Sequence, residues 1–116
     1  MRVLVVEDNE RNAKLARDVL SFAGFDVVVA SSGEACLEVV GGVDVVLMDI
    51  NLPGMSGVEA LAALREVGVT VPVAAFTAHA MHDDRDRLLA AGFDGYIEKP
   101  VDVRALPGQV EALLRS

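Results

Sequence analysis

Glu7, Asp8, Asp49, Thr77 and Lys99 are the residues of this chain whose types and spacing could do chemistry together. Each lies within two residues of the end of a short apolar run. Three are carboxylates, and carboxylates brought close together need either a proton or a cation between them. A donor set made only of oxygen, with no histidine, suits a hard ion, and few protein ligands with retained water favour magnesium over calcium. Such a cation could offset the charge on an incoming phosphoryl group, with Lys99 adding a point positive charge and Thr77 a hydroxyl donor. Lysine occurs only at positions 14 and 99, the other eight basic residues being arginine. One carboxylate must stay free as nucleophile. Asp49 is best placed, standing alone at the tip of an apolar run, whereas the adjacent Glu7 and Asp8 suit metal binding.

The elements that must position these groups are legible as five apolar runs. They are Val3 to Val6, Val27 to Val29, Val45 to Met48, Val71 to Phe76 and Gly95 to Ile97. The first four are continuous and rich in β-branched residues, which predicts strands buried on both faces. Helical spacing fills the gaps. Leu15, Ala16, Val19, Leu20 and Ala23 make one apolar stripe, closed by Gly24. Further helices are expected over Ser32 to Val40, with Cys36, Val39 and Val40 facing inward, over Val58 to Val67, and over Asp84 to Ala91. A last helix is expected from Pro107 to Leu114, with Val110, Leu113 and Leu114 inward and Val101 to Leu106 as a turn, because proline suits a first helical position. Strand and helix alternating with short connections predict an open, mostly parallel α/β sheet with helices on both faces. Functional groups in such a sheet gather at the carboxyl ends of the strands. That is the rim where Glu7, Asp8 and Asn9, Asp49 and Asn51, Thr77, and Lys99 fall. Taken singly they read as ordinary, Thr77 as a helix cap and Lys99 as a turn residue; the joint pattern points to chemistry.

The 116 residues suffice for one domain, residues 1–116, with no appended output domain expected. No apolar run approaches the ~20 residues of a membrane helix, and no signal peptide is visible, so a cytoplasmic protein without membrane contact is expected. Cys36 is the single cysteine and reads as a small core residue. A net charge of -8 and the absence of tryptophan argue against direct nucleic-acid binding.

Four motifs then carry a resemblance: Val5-Val6-Glu7-Asp8-Asn9, Met48-Asp49-Ile50-Asn51-Leu52-Pro53-Gly54-Met55-Ser56-Gly57, Phe76-Thr77-Ala78, and Ala91-Gly92-Phe93-Asp94-Gly95-Tyr96-Ile97-Glu98-Lys99-Pro100. Together, and over essentially the whole chain, they resemble the receiver domain of two-component response regulators, the CheY-like superfamily. In look they are similar to DivK-type single-domain regulators and to receivers of hybrid histidine kinases. The resemblance implies a flavodoxin-like, doubly wound fold with strand order 2-1-3-4-5 and five helices. It implies that Asp49 accepts the phosphoryl group, that Asp8 and Asp49 ligate Mg2+ directly (Mn2+ serving in its place), that Glu7 reaches the ion through water, and that the backbone carbonyl of Asn51 adds a ligand. Thr77 and Lys99 would bind phosphoryl oxygens, Lys99-Pro100 would be a cis peptide, and Tyr96 would be the switch aromatic that responds with Thr77. The implied partners are a histidine kinase or histidine phosphotransfer protein, docking on Asn9, Arg11, Asn12 and Leu15, and a downstream protein target. The implied state is a monomer or weak dimer, and the phosphotransfer is self-directed, not the turnover of a free substrate.

His79, two residues beyond Thr77, could hang over the site and affect the hydrolytic water; it reads equally as a loop histidine. Pro53-Gly54 reads as a tight turn, and Gly57 as a backbone requirement at the start of a helix. A flavodoxin-like cofactor binder would need a phosphate loop of Ser, Thr and Gly where this chain has Glu7-Asp8. A haloacid-dehalogenase-type phosphatase would need two aspartates two residues apart after its first strand. A receiver-like interaction module independent of phosphorylation is the remaining alternative.

Overall fold

The computed structural model describes residues 1–77, 82–99 and 101–115, with backbone alone at 82–84. His79 and the Lys99-Pro100 peptide expectation lie outside the described residues. The elements are β1 (Arg2–Val6), α1 (Glu10–Phe22), β2 (Asp26–Ala30), α2 (Gly33–Val39), β3 (Val45–Asp49), α3 (Gly57–Glu66), β4 (Val73–Thr77), α4 (His82–Ala90), β5 (Gly95–Glu98) and α5 (Leu106–Arg115). The five strands form one parallel sheet in the order β2-β1-β3-β4-β5, as the resemblance implies.

The strands alternate between two cores. On one face Val3, Val5, Val45, Leu47, Ala74, Phe76 and Ile97 pack against Ala16 and Leu20 of α1 and Leu106 and Val110 of α5. On the other, Leu4, Val6, Val46, Met48, Val73 and Ala75 pack against α2, α3 and α4 through Cys36, Leu61, Leu64 and Leu88. Every residue of β3 and β4 is buried, which is why their sequences carry no polar alternation. The helices begin where a side chain can satisfy the first amides: Asn9 accepts from Arg11 and Asn12, Ser32 from Ala35, and Ser56 from Glu59. Gly24, at φ +97°, closes α1.

Several boundaries and facings differ from expectation. β2 is only half-buried, because it lies at the sheet edge and has a neighbour on one side alone. β4 begins at Val73, since Pro72 has no N–H for the ladder. In α1 the buried positions are Ala13, Ala16 and Leu20, so Leu15, about 100° around the helix from Ala16, and Ala23 face solvent. Val39 is exposed at the end of α2, where Cys36 is the buried anchor. Leu106 belongs to α5 and is fully buried, while Leu113 and Leu114 are half-buried. Among the described residues, no helix is long and apolar enough to cross a membrane.

Arg65 ties the end of α3 to the approach of β4. Its guanidinium donates to the carbonyls of Val69 and Val71 at 2.9 and 2.8 Å and to Asp94 Oδ2 at 3.1 Å, the same oxygen that accepts from Val73 N at 2.8 Å. Arg65→Ala is expected to lower stability by about 1–2 kcal/mol, read from the urea midpoint, since water can reach part of what it leaves.

Candidate functional site

The carboxyl ends of β1, β3, β4 and β5 meet on one rim because the strands run parallel and in register. Asp49 pairs with Phe76, and Thr77 with Glu98. Glu7 extends β1 by one ladder bond, its N–H donating to Ala30 O at 2.9 Å. Asp49 ends β3 and Thr77 ends β4; both are buried, as is Glu7. Lys99 follows β5 and is locked to β4 by its N–H donating to Thr77 O at 2.7 Å. Asp8 is exposed at the head of α1.

The side chains converge. Lys99 Nζ lies 2.6 Å from Glu7 Oε1 and 3.3 Å from Asp49 Oδ2. Asp49 Oδ1 accepts from Asn51 N at 3.0 Å, which orients the carboxyl group. Burial raises the Glu7 carboxyl to about 7, reinforced by its hydrogen bond to Asp49 and opposed by Lys99. Burial acts on Asp49 in the same sense, but Glu7, the Asn51 amide and Lys99 outweigh it and hold Asp49 below the usual carboxylate range. A proton taken up by the pair therefore goes to Glu7 before Asp49.

A group whose pKa is raised on folding keeps its proton in the folded state after the unfolded chain has lost its own, so its contribution falls as pH rises from 4.5 to about 7. The Asp49 contribution has the opposite sign and is lost only in acid. The thermal midpoint in chelator is thus expected to decline between those pH values, and Glu7→Gln is expected to flatten the decline.

Glu7, Asp8 and Asp49 each present an oxygen, all within 4.8 Å of one another. Oxygens on opposite sides of a magnesium ion stand about 4.2 Å apart, at roughly 2.1 Å from the metal. The donor set is all oxygen and carries excess negative charge, so these residues fit a small hard divalent ion. Asn51 lies at the same rim, its amide committed to Asp49. Tyr96 is half-buried on β5, with the Arg85 guanidinium 5.5 Å from its ring centre.

Two residues emerge that the motif reading gave no chemistry. A Cβ at Gly57 would stand 2.5 Å from Asp49 O and 2.6 Å from Ile50 Cα, so α3 starts pressed against the backbone that carries Asp49. Phe76 places its ring under Lys99, with Nζ 5.0 Å from the centroid. Strand alternation was the available signal for Phe76, which shares the sheet face of Val5 and Leu47, two residues before Glu7 and Asp49.

Known proteins resemble the chain throughout. Residues 3–111 match the family model described as the response regulator receiver domain. "Hybrid signal transduction histidine kinase I" of Dictyostelium discoideum is 39% identical over 116 residues, covering 90% of this chain and 7% of that protein. "Transcriptional regulatory protein CpxR" of Escherichia coli (strain K12) is 35% identical over 115 residues, covering 98% of this chain and 49% of its own. The chain thus spans half or less of these relatives. Among solved structures, the Francisella response regulator 1452 receiver domain superposes with a TM-score of 0.89 at 27% identity, covering 98% of this chain and 96% of its own. Motifs, strand order, rim geometry and these matches agree: the chain belongs to the response regulator receiver domains, the phosphoryl-accepting modules of two-component signal transduction.

Proposed function

We propose that Asp49 is the phosphoacceptor of a cytoplasmic signalling module charged by a histidine kinase or histidine phosphotransfer protein. The observation that carries this is the Asp49 carboxyl group, buried at a strand tip with the Lys99 ammonium 3.3 Å away and oxygens of Glu7 and Asp8 within 4.8 Å. An Asp49 oxygen attacks the phosphorus of the donor. An O–P bond forms, the donor's P–N bond breaks, and the departing imidazole nitrogen keeps the electron pair and takes up a proton. Lys99 and Thr77 hold phosphoryl oxygens. Asp8, Asp49 and the Asn51 carbonyl would hold Mg2+, or Mn2+ in its place, with Glu7 reaching it through water. When bound, the ion supplies positive charge to the phosphoryl oxygens and so lowers the repulsion of the acidic rim.

The exposed start of α1, with Arg11 and Leu15 at its surface, is the proposed docking surface for the donor. Tyr96 and Thr77 are the proposed switch. The downstream target is a protein that reads their rearrangement on the face of α4, β5 and α5, the module being a monomer or weak dimer. Hydrolysis of the acyl phosphate is likewise self-directed.

Intact mass after incubation with acetyl phosphate or phosphoramidate tests this. Gain of one phosphoryl group that needs Mg2+ and is absent from Asp49→Asn is the expected result. No adduct from either donor, with rapid quench excluding fast hydrolysis, would overturn it in favour of an interaction module independent of phosphorylation.

A further inference from the structure

We infer that Phe76 is a positioning residue for the reaction, its ring face holding the Lys99 ammonium at the site without using any of that group's hydrogen-bond donors. The inference rests on the reading of Asp49 and Lys99 above. Phe76 is fully buried, pairs in register with Asp49, and faces the same side of the sheet as the core beneath Glu7 and Asp49. Lys99 Nζ stands 5.0 Å from its ring centre, and the lysine side chain is only 14% exposed. Attraction between an ammonium and an aromatic face is strongest when the cation is desolvated in this way.

The donor inventory gives that contact its use. An ammonium has three N–H donors and no acceptor. Glu7 Oε1 at 2.6 Å and Asp49 Oδ2 at 3.3 Å are its acid neighbours. An aliphatic residue at position 76 would leave the two acids as the main attraction on the charge, and Glu7, the nearer, would draw it away from Asp49. A ring draws the ammonium from a third side and leaves an N–H free to meet a phosphoryl oxygen. When Asp49 becomes an acyl phosphate and loses its carboxylate charge, the ring is still there. The competing account is that Phe76 is packing alone, since it heads the fully buried side chains by volume.

Fluorination separates the two accounts, because it withdraws the negative ring face while keeping shape and burial. Mono-, di- and trifluorophenylalanine would be placed at position 76 alone. The rate of phosphoryl uptake from acetyl phosphate at saturating Mg2+ would be read beside the melting temperature and the Mg2+ midpoint. The expected result is a stepwise fall reaching roughly three- to tenfold at the trifluoro ring, with melting temperature and Mg2+ midpoint unchanged. A flat series, or a fall that follows the melting temperature, would overturn the inference. Should the unmodified protein take up no phosphoryl group, the reading of Asp49 fails, and the positioning is then scored by competitive acylation of the Lys99 amine. Labelling that rises along the series supports the ring's hold on the ammonium; labelling that stays constant overturns it.

Discussion

Lys99→Ala is expected to slow phosphoryl uptake by on the order of a hundredfold or more and, in chelator, to destabilise the protein at pH 8 far more than at pH 5. On the role proposed for Lys99, the rate effect follows from the loss of a charge-assisted donor to the transferred group, a type of deletion that typically costs about 10²–10³ in rate. The stability effect follows from what is left behind. Glu7 and Asp49 remain buried beside each other, with Asp8 at the rim, and lose the ammonium that approached them to 2.6 and 3.3 Å. Breaking a buried pair by removing one partner costs about 3–5 kcal/mol. Here a proton limits the loss. Lys99 is the influence that lowers Glu7 against burial and Asp49, so without it Glu7 holds its proton to higher pH than about 7. The deficit should therefore be largest above that pH and shrink in acid, where the carboxyl is neutral in wild type and variant alike. Added Mg2+ should restore melting temperature without restoring the rate, because a cation can neutralise the acids but leaves the phosphoryl oxygens without the lysine. Thermal melts across pH with and without Mg2+, beside mass-detected uptake, check both. A variant that melts like wild type at pH 8 in chelator would show that the ion pair contributes little.

Gly57→Ala is expected to cost about 2–3 kcal/mol of stability and to slow uptake at least tenfold. The added Cβ would meet backbone, Asp49 O at 2.5 Å and Ile50 Cα at 2.6 Å, so nothing flexible can yield. Overpacking of this kind typically costs about 1–3 kcal/mol. The displacement falls on the peptide of Asp49 itself, and reacting groups misplaced by about 1 Å can lose a hundredfold in rate. Gly33→Ala is the control. There the heavy atoms nearest the Cβ would be those of the Met55 side chain, Sδ at 2.9 Å and Cβ and Cγ at 3.2 Å, and a flexible thioether yields more readily than backbone. Urea melts of both variants, with phosphorylation rates at saturating Mg2+, separate a general loss of packing from one felt at Asp49. Equal effects from the two glycines would remove the special role of Gly57.

Much of the frame is readable from local pattern. Continuous Val and Leu runs at 3–6 and 45–48 mean strands covered on both faces, and their alternation with helical stripes means a parallel sheet whose carboxyl ends share a rim. That places Glu7, Asp8, Asp49, Thr77 and Lys99 on one rim although they are spread over some ninety positions, and four of them, Thr77 apart, are linked by ion-pair or ligand-range contacts. The misjudged facings came from context that local pattern lacks. Val27 to Val29 read like the central strands, yet the order β2-β1-β3-β4-β5 leaves them at an edge. Leu15 and Val39 are apolar but sit on the flanks of their helices, and helical spacing alone does not say how wide a stripe the sheet will cover.

The residue types and their order along the chain determined what chemistry is available: an oxygen-only acidic set, one hydroxyl, and one lysine at the end of the last strand. Only the tertiary structure decided how those groups divide the work. It raised Glu7 and lowered Asp49 on the pKa scale, set Phe76 beneath the ammonium, and pressed Gly57 against the peptide of Asp49. The reason is physical. Proton placement depends on burial and on the charged and hydrogen-bonding groups brought beside each carboxyl, and close approach depends on strand register. Both arise from packing between segments far apart in the chain, and local sequence carries no record of that packing.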